Sequence, residues 1–518
     1  MFNVSNIIKN APKTTLWVLQ NRSKSKTHWA KLKRKTGPKY KALNHFDDFY
    51  GSVFGEQAWE PMREALLRKS KYVAVINNYG DAEETMQYLT NRGAHCLKNL
   101  MSVQKDFHDE YTPKVETTNA KDTRNNSLER YVAKLQSEEI ANIYPEGENI
   151  PEKIEFSNNK VLEGNAKDIE EKTKIQETFA GLTLNKAIEE AQIDESRIIQ
   201  PSMGLSSEAL YQYVPATKLK GLDEWVPDSM HYSFYNNKEA DFPLVIEPET
   251  EFQYPEHLKV MTYEVDSEYY KFPEPKRCQT GVFNYYPMDC SSILSVLALC
   301  LNPGERVLDM CAAPGGKALA ALQTLLPDVL VCNDSSISRS NRIIRIFRDY
   351  LMDYEVGNKW QERVIISRID GRMFTDDHGF DKVLVDAPCT TDRHSVVEDE
   401  NNIFRPDRVK ERLRIPELQA QLLLNALRLV RVGGAVVYST CSLSPAQNDG
   451  VVHTALKMAF HDHSILAAVR DLSTPFNALS STLYLGTGGV KPKYGQLVIP
   501  HIAANYGPAY IARLVRVK

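Results

Sequence analysis

What this chain lacks narrows its class first. Across 518 residues no run approaches eighteen consecutive apolar positions, so the sequence spells no membrane-spanning helix. Its eight cysteines (96, 278, 290, 300, 311, 332, 389 and 441) include no CxxC pair. That excludes the common zinc and thioredoxin-like spacings, and the thiols are too sparse for a secreted disulfide scaffold. Eight free thiols in a reducing compartment are expected. The dinucleotide fingerprint GxGxxG is missing. So is a phosphate-cradling loop: Cys311 stands where its first glycine belongs, and Ala318 follows Gly316-Lys317 where a magnesium-binding Ser or Thr belongs.

Acidic residues are absent before Asp47, while eleven Lys or Arg lie between Lys9 and Lys41. Beyond residue 46 the balance reverses, with 52 basic against 67 acidic side chains. The opening stretch is basic, bears Ser and Thr, and scatters its apolar residues (Phe2, Ile7, Ile8, Leu16, Trp17). That is the composition of a mitochondrial transit peptide rather than of a secretory signal. Residues 1–42 are expected to be such a leader, the alternative being a basic arm that touches nucleic acid. The matrix is then the expected destination.

Residues 43–110 read as a mainly helical region. Trp59, Met62, Leu66 and Leu67 recur at helical spacing, and "KYVAVIN" (71–77) suits a short strand. From 111 to 225 the chain is acidic, with loops such as "YPEGENIPEK", and reads as a partly disordered insertion. Residues 226–280 are expected to be a linker and RNA-side subdomain.

From 281 to 518 apolar strands alternate with helices. "DCSSILSVLALCL" is a helix capped by Asp289. "RVLDMCA", "VLVCND", "RVIISRID", "FDKVLVDAP" and "AVVYSTC" are strands, and "PELQAQLLLNALRLV" is a helix with Pro416 near its start and Gly433-Gly434 behind it. "YGQLVIP" and "AYIARLVRV" suit a closing antiparallel pair. The pattern predicts an α/β, Rossmann-like fold, a mostly parallel sheet covered on both faces.

In such sheets ligands bind beyond the carboxyl ends of the strands, at the switch point. The first strand ends in Asp309 and runs into "CAAPGGK". Gly315 and Gly316 admit a ligand close to the backbone, and the following helix offers free N–H groups. The second strand ends in Asp334, placed to accept from ribose hydroxyls, and the third in Asp370, placed to meet an adenine amino group. A glycine turn with three acidic strand ends suits a nucleoside cofactor without phosphates and with positive charge. S-adenosylmethionine fits that description.

Cys389 and Cys441 both follow a strand's most apolar run, in "KVLVDAPCT" and "AVVYSTCSL". Together, "VLDMCAAPGGKALAALQ", "VLVDAPCTTDRHS" and "VVYSTCSLSPAQN" resemble the Nol/Nop/Sun-domain RNA cytosine-5 methyltransferases over about 281–518. "PCTTDRHS", "GQLVIPHIAANYGPAYIARL" and "NHFDDFYGSVFGEQAW" (44–59) are similar to the branch acting on mitochondrial ribosomal RNA. The resemblance implies the class I S-adenosylmethionine-dependent methyltransferase fold and three catalytic roles. Cys441 is the nucleophile, Cys389 assists release of the adduct, and Asp386 contacts the base at N3 and its amine. It also implies a cofactor wall of Cys311, Ala312, Pro314, Gly315, Gly316, Lys317, Asp334, Arg339, Asp370, Gly371 and Asp386. No metal is implied. Implied as a partner is a protein of the mitochondrial transcription termination factor family. The acidic body and the lack of an appended RNA-binding module agree with help from a partner or from the ribosomal particle.

Other basic groups carry weaker expectations. Lys317 is read as capping the cofactor carboxylate, approaching RNA or lying in solvent. Arg342, Arg345 and Arg348 continue a stripe from Arg339, and "FRPDRVKERLR" (404–414) is the candidate phosphate-contacting segment. A structural hydrogen bond is the favoured reading of His394. Alternatives to the ribosomal RNA enzyme are its mitochondrial tRNA-modifying sister and a ribosome-assembly factor acting mainly by binding.

Overall fold

The computed structural model describes residues 37–111, 231–237, 239–263, 265, 272–356, 359–486 and 490–518. Residues 1–36 of the expected leader and 112–225 of the expected insertion lie outside them. Pro38 opens a helix, Pro38–Phe54, at the position where a missing N–H costs nothing. Its Ala42, Phe46, Phe49, Tyr50 and Val53 form one buried stripe. Gly55, at φ 82°, turns the chain into Glu56–Leu67, which buries Trp59, Met62, Ala65 and Leu66, close to the spacing read from the sequence.

Numbered along the chain, the strands are β1 Val73–Ile76, β2 His95–Cys96, β3 Val245–Pro248, β4 Val260–Thr262, β5 Tyr285–Met288, β6 Glu305–Asp309, β7 Pro327–Asn333, β8 Val364–Ser367, β9 Phe380–Asp386, β10 Val430–Thr440, β11 Ala467–Asp471, β12 Gln496–Val498 and β13 Ala509–Arg516. The larger sheet has the order β3-β11-β13-β10-β9-β6-β7-β8, with β12 on β13. β6 to β10 are mutually parallel. β13 runs antiparallel to β10, β11 and β12, so the expected closing pair is present. β6 pairs with β7 on one side and β9 on the other. The strand order therefore reverses at β6, and the crevice opens above Asp309 and Asp386.

Alternation sets the two covered faces. Leu308, Val383, Val385, Val436 and Tyr438 join one core cluster with the helices Val409–Leu429 and Asp449–His463. Val307, Leu384 and Val437, one residue out of phase, join the other with Cys290–Ala298, Gly316–Gln323 and Ile337–Tyr350. The first cluster also takes in Phe46, Tyr50 and Trp59, so the N-terminal helices share the core of the larger sheet. Asp289 caps its helix as predicted, accepting from Ser291 N at 2.8 Å.

Three features depart from the sequence reading. Strand β3, from the expected linker, pairs in parallel with β11 at the edge of the larger sheet. A second sheet, β2-β4-β1-β5, places β1 between segments near residues 260 and 285. Finally, the helix expected from Pro416 begins at Val409 and runs through that proline. Pro416 forgoes one backbone bond, to the carbonyl four residues back, while Ile415, Pro416, Gln419 and Ala420 bury a continuous face. Gly433-Gly434 lie inside β10, where a Cβ on Gly434 would stand 2.6 Å from the Asp381 carbonyl oxygen.

Candidate active site

β9 and β10 run side by side with Ser439 in register with Asp386, and Ser439 Oγ donates to Asp386 Oδ1 at 2.9 Å. Each strand then turns and delivers a cysteine. Cys389 Sγ and Cys441 Sγ are 3.2 Å apart, the first half-buried and the second exposed. A thiolate at Cys389 is favoured by the hydrogen bond from Cys441 and by Thr391 N at 3.4 Å, which together outweigh burial. The Cys441 thiol is pushed up by the same bond, then by burial and by the charges of Cys389 and Asp386. The pair thus parts with its first proton below the ordinary thiol value and its second above it.

Lys317 Nζ donates to Asp386 Oδ2 at 2.8 Å. Neither the solvated nor the cofactor-capping expectation for Lys317 describes this contact. Burial pulls its ammonium down, but the Asp386 carboxylate, with smaller help from Cys441 and Asp309, more than offsets it and the net direction is up. Asp309, at the end of β6, is buried and finds no side-chain partner for either oxygen. Burial first, then the charge of Asp386, pushes its carboxyl up to about 8. Sequence reasoning noted Asp309 as a strand end without giving it a role.

The crevice wall continues through the turn after β6. Cys311 is half-buried, Ala312 and Gly315 are buried, and Pro314 is exposed. Burial raises the Cys311 thiol well above its usual value, followed by the charges of Asp309, Asp334 and Asp386. Gly315 adopts φ 117°, and a Cβ on Gly316 would press within 3.0 Å of the Tyr286 ring. Asp334 is buried, accepting from Ser336 N at 3.0 Å and pairing with Arg339 at 3.2 Å. Arg339 also donates to the Ala313 carbonyl at 3.2 Å, so it bridges the glycine turn and the second acidic strand end. Asp370 pairs with Arg372 Nη2 at 2.6 Å on the surface, which holds its carboxyl below the usual range. Gly371 is packed so tightly that a Cβ would meet Leu422 at 2.7 Å and Met310 at 2.9 Å.

These residues fit S-adenosylmethionine. Burial and then the charge of Asp386 push the Asp309 carboxyl up; a cation beside it opposes both, whereas a phosphate would add to the repulsion. Bare glycine backbone supplies the close approach.

The outlying expectations fare differently. His394 Nε2 lies 3.0 Å from the Glu400 carbonyl oxygen, a structural bond as the sequence suggests. Within 404–414, Arg405 pairs with Asp407, Arg408 with Glu411, and Arg412 stacks on Phe404, so much of the segment's positive charge is engaged internally. Along Ile337–Tyr350, Arg342 and Arg345 stand exposed while Ser340, Ile343 and Phe347 are buried; Arg348 pairs with Glu355.

Residues 296–482 match the family model described as 16S rRNA methyltransferase RsmB/F. A protein of Caenorhabditis elegans called 5-cytosine rRNA methyltransferase nsun-4 is 32% identical over 96% of each chain. The chain belongs to the NSUN4 branch of the NSUN family. The Xenopus tropicalis 5-cytosine rRNA methyltransferase NSUN4 is 45% identical over 250 residues, covering 48% of this chain and 60% of that one. A mitochondrial tRNA (cytosine(34)-C(5))-methyltransferase of Danio rerio is 35% identical over 49% of this chain and 69% of its own.

Proposed function

We propose that the protein is an S-adenosylmethionine-dependent RNA methyltransferase that forms 5-methylcytosine in mitochondrial small-subunit rRNA. The observation that carries this reading is the thiol pair of Cys389 and Cys441, 3.2 Å apart, standing over the Lys317–Asp386 pair at the sheet's switch point. Carbon 5 of cytosine is too weak a nucleophile by itself. Cys441 releases the proton it shares with Cys389 to the solvent that reaches it as its sulfur adds to carbon 6, which moves electrons into the ring as far as N3. Asp386 accepts from the exocyclic amine, and the proton that N3 takes comes from the Lys317–Asp386 pair. S-adenosylmethionine supplies an electrophilic methyl group to carbon 5. Cys389, the sulfur left as thiolate, then takes the carbon-5 proton, the C–H electrons restore the ring double bond, N3 returns its proton to the Lys317–Asp386 pair, and Cys441 leaves as thiolate. Asp334 with Arg339, Asp370 with Gly371, and Cys311 to Gly316 are the groups that hold the cofactor in this reading.

Reaching Cys441 requires the cytosine to leave its stack, which costs a few kcal/mol and is cheapest in single strands. The exposed Arg342 and Arg345 offer phosphate contacts. Beyond residue 46 the excess of acidic residues leaves little sequence-independent pull on RNA. Pairing with a protein of the mitochondrial transcription termination factor family in the matrix, and a part in ribosome assembly, complete the proposal.

Trapping on RNA containing 5-azacytidine tests it, because nitrogen at position 5 carries no proton to lose and the adduct persists. A crosslink that disappears in Cys441→Ser supports the assignment. One that survives there and disappears in Cys389→Ser reverses the two roles. The 35% identity to the Danio rerio tRNA enzyme keeps tRNA as the second substrate class. Mapping 5-methylcytosine after depletion decides between them. Rescue of ribosome assembly by Cys441→Ala would favour a binding role over methylation.

A further inference from the structure

Beneath the two sulfurs lies a buried carboxylate that the chemistry above does not use. Asp392 opens the short helix Asp392–Val397, three residues past Cys389, and is fully buried. Its Oδ1 accepts from Thr390 Oγ1 at 2.5 Å. Its Oδ2 accepts from Tyr50 Oη at 2.6 Å, Leu443 N at 2.8 Å and Ser442 Oγ at 3.2 Å. Its own N–H donates to the Cys441 carbonyl at 3.2 Å. Thr390 adjoins Cys389, and Ser442 adjoins Cys441. One side chain therefore ties both cysteine-bearing turns to each other and to the helix Pro38–Phe54.

We propose that Asp392 is a positioning residue for the two thiols, and that Tyr50 makes the N-terminal helix part of the same clamp. The proposal rests on the methyltransferase reading for its catalytic consequence but not for its geometry. Four donors on one buried carboxylate are an arrangement that neither a hydroxyl nor an amide reproduces, since an amide keeps one accepting oxygen and turns the other position into a donor. The surroundings add stiffness. Gln447 accepts from Thr390 N at 3.1 Å and donates to Thr390 Oγ1 at 3.1 Å, while Asn448 accepts from Thr440 Oγ1 at 2.6 Å and donates to the Ser442 carbonyl at 2.9 Å. Thr391, held at φ 49°, is a non-glycine residue in the left-handed region, where backbone conformation persists only when neighbours dictate it. The clamp dictates it from both sides.

The consequence is that sulfur-to-sulfur distance depends on Asp392. At 3.2 Å the thiols share a proton; with the turns free to drift they titrate as separate groups. The charged and titratable groups facing them are Lys317 and Asp386 on the cofactor side, with Tyr438 and Asp392 beneath. In Asp392→Asn only the last of these changes.

The test uses the full chain and two readouts. Iodoacetamide alkylation of Cys389 and Cys441, followed across pH by peptide mass spectrometry, reports the two titrations. Methyl transfer to RNA reports kcat and the KM for S-adenosylmethionine. Asp392→Asn is expected to narrow the separation between the two alkylation midpoints. It should also lower kcat by about 10- to 100-fold, the effect of ångström-scale misplacement, with KM for the cofactor unchanged. Tyr50→Phe keeps the ring, removes one donor, and is expected to move both readouts in the same direction by less. Should Asp392→Asn fail to fold, Tyr50→Phe and Ser442→Ala carry the test. Folded variants with wild-type alkylation profiles and kcat overturn the proposal, as does a lowered melting temperature with both readouts unmoved. If the wild type forms no 5-methylcytosine on any RNA, the methyltransferase reading falls, and the alkylation profiles still judge the clamp.

Discussion

Asp309 and Asp386 close neighbouring parallel strands, and the charge of the second adds to burial in holding the first protonated up to about pH 8. In the unfolded chain Asp309 ionises near an ordinary carboxyl value, so between about pH 4 and 8 the folded state binds the extra proton. This contribution to stability is full below that window and is lost as pH rises through about 8. The Asp309→Asn variant removes the slope, which is at most about 1.4 kcal/mol per pH unit. It should come nearest to wild type at about pH 4 and melt at higher temperature than wild type at pH 8.5, as read by calorimetry at the two pH values.

Removing the half-buried sulfur separates adduct formation from adduct release. Cys389→Ser is expected to let Cys441 attack while slowing release, so a protein–RNA species accumulates on ordinary cytosine RNA. Denaturing gels with labelled RNA check this, with Cys389→Ser/Cys441→Ser expected to abolish the band.

Gly371 leaves no room for a side chain, with Leu422 and Met310 inside contact distance of any Cβ. Gly371→Ala forces those neighbours apart and is expected to cost about 1–3 kcal/mol, as overpacking does. Urea unfolding measures the loss. Cofactor affinity should fall with it, because Gly371 follows Asp370 on the same turn.

Arg393 ties its own helix to two distant segments of the chain. It donates to the carbonyls of Gly507 at 2.8 Å, Ala65 at 2.9 Å and Arg68 at 3.2 Å, and to Asn505 Oδ1 at 2.8 Å. Truncation to Ala strands several acceptors and is expected to destabilise by about 3 kcal/mol. Lys, a single donor centre in place of a fork, should recover less than half of that. Unfolding midpoints of Arg393→Ala and Arg393→Lys test both statements.

The site was legible where its parts are local. The glycine turn and the acids at 309, 334 and 386 end or directly follow an apolar strand, whereas Asp370, expected at a strand end, lies three residues past β8 and caps the short turn Gly371–Met373. Cys389 and Cys441 were legible together because both follow such ends. Pairings across the crevice were not. Lys317 on Asp386, and Arg339 on Asp334, depend on side-chain reach that spacing does not encode. Asp392 was hidden further, since its partner Tyr50 lies 342 positions away. Strand β1 was legible in "KYVAVIN", but the second sheet escaped because its partners β2, β4 and β5 span only two to four residues each, too short for a period to declare itself. The net charge of 404–414 was legible in the sequence, but the pairing of Arg408 with Glu411 three positions on was not.

Strand β1 has β4 on one flank and β5 on the other. A ribosome that has made residues 73–76 must therefore synthesise some two hundred more before both ladders exist. Until then the apolar Val73, Ala74, Val75 and Ile76 have nothing to pair with, and a product ending near residue 110 would carry an open, adhesive edge. The catalytic region meets the mirror problem, because the ring of Tyr50 and the side chains of Phe46 and Trp59 complete its interior. Residues 38–67 and the larger sheet thus complete one interior only when both are present.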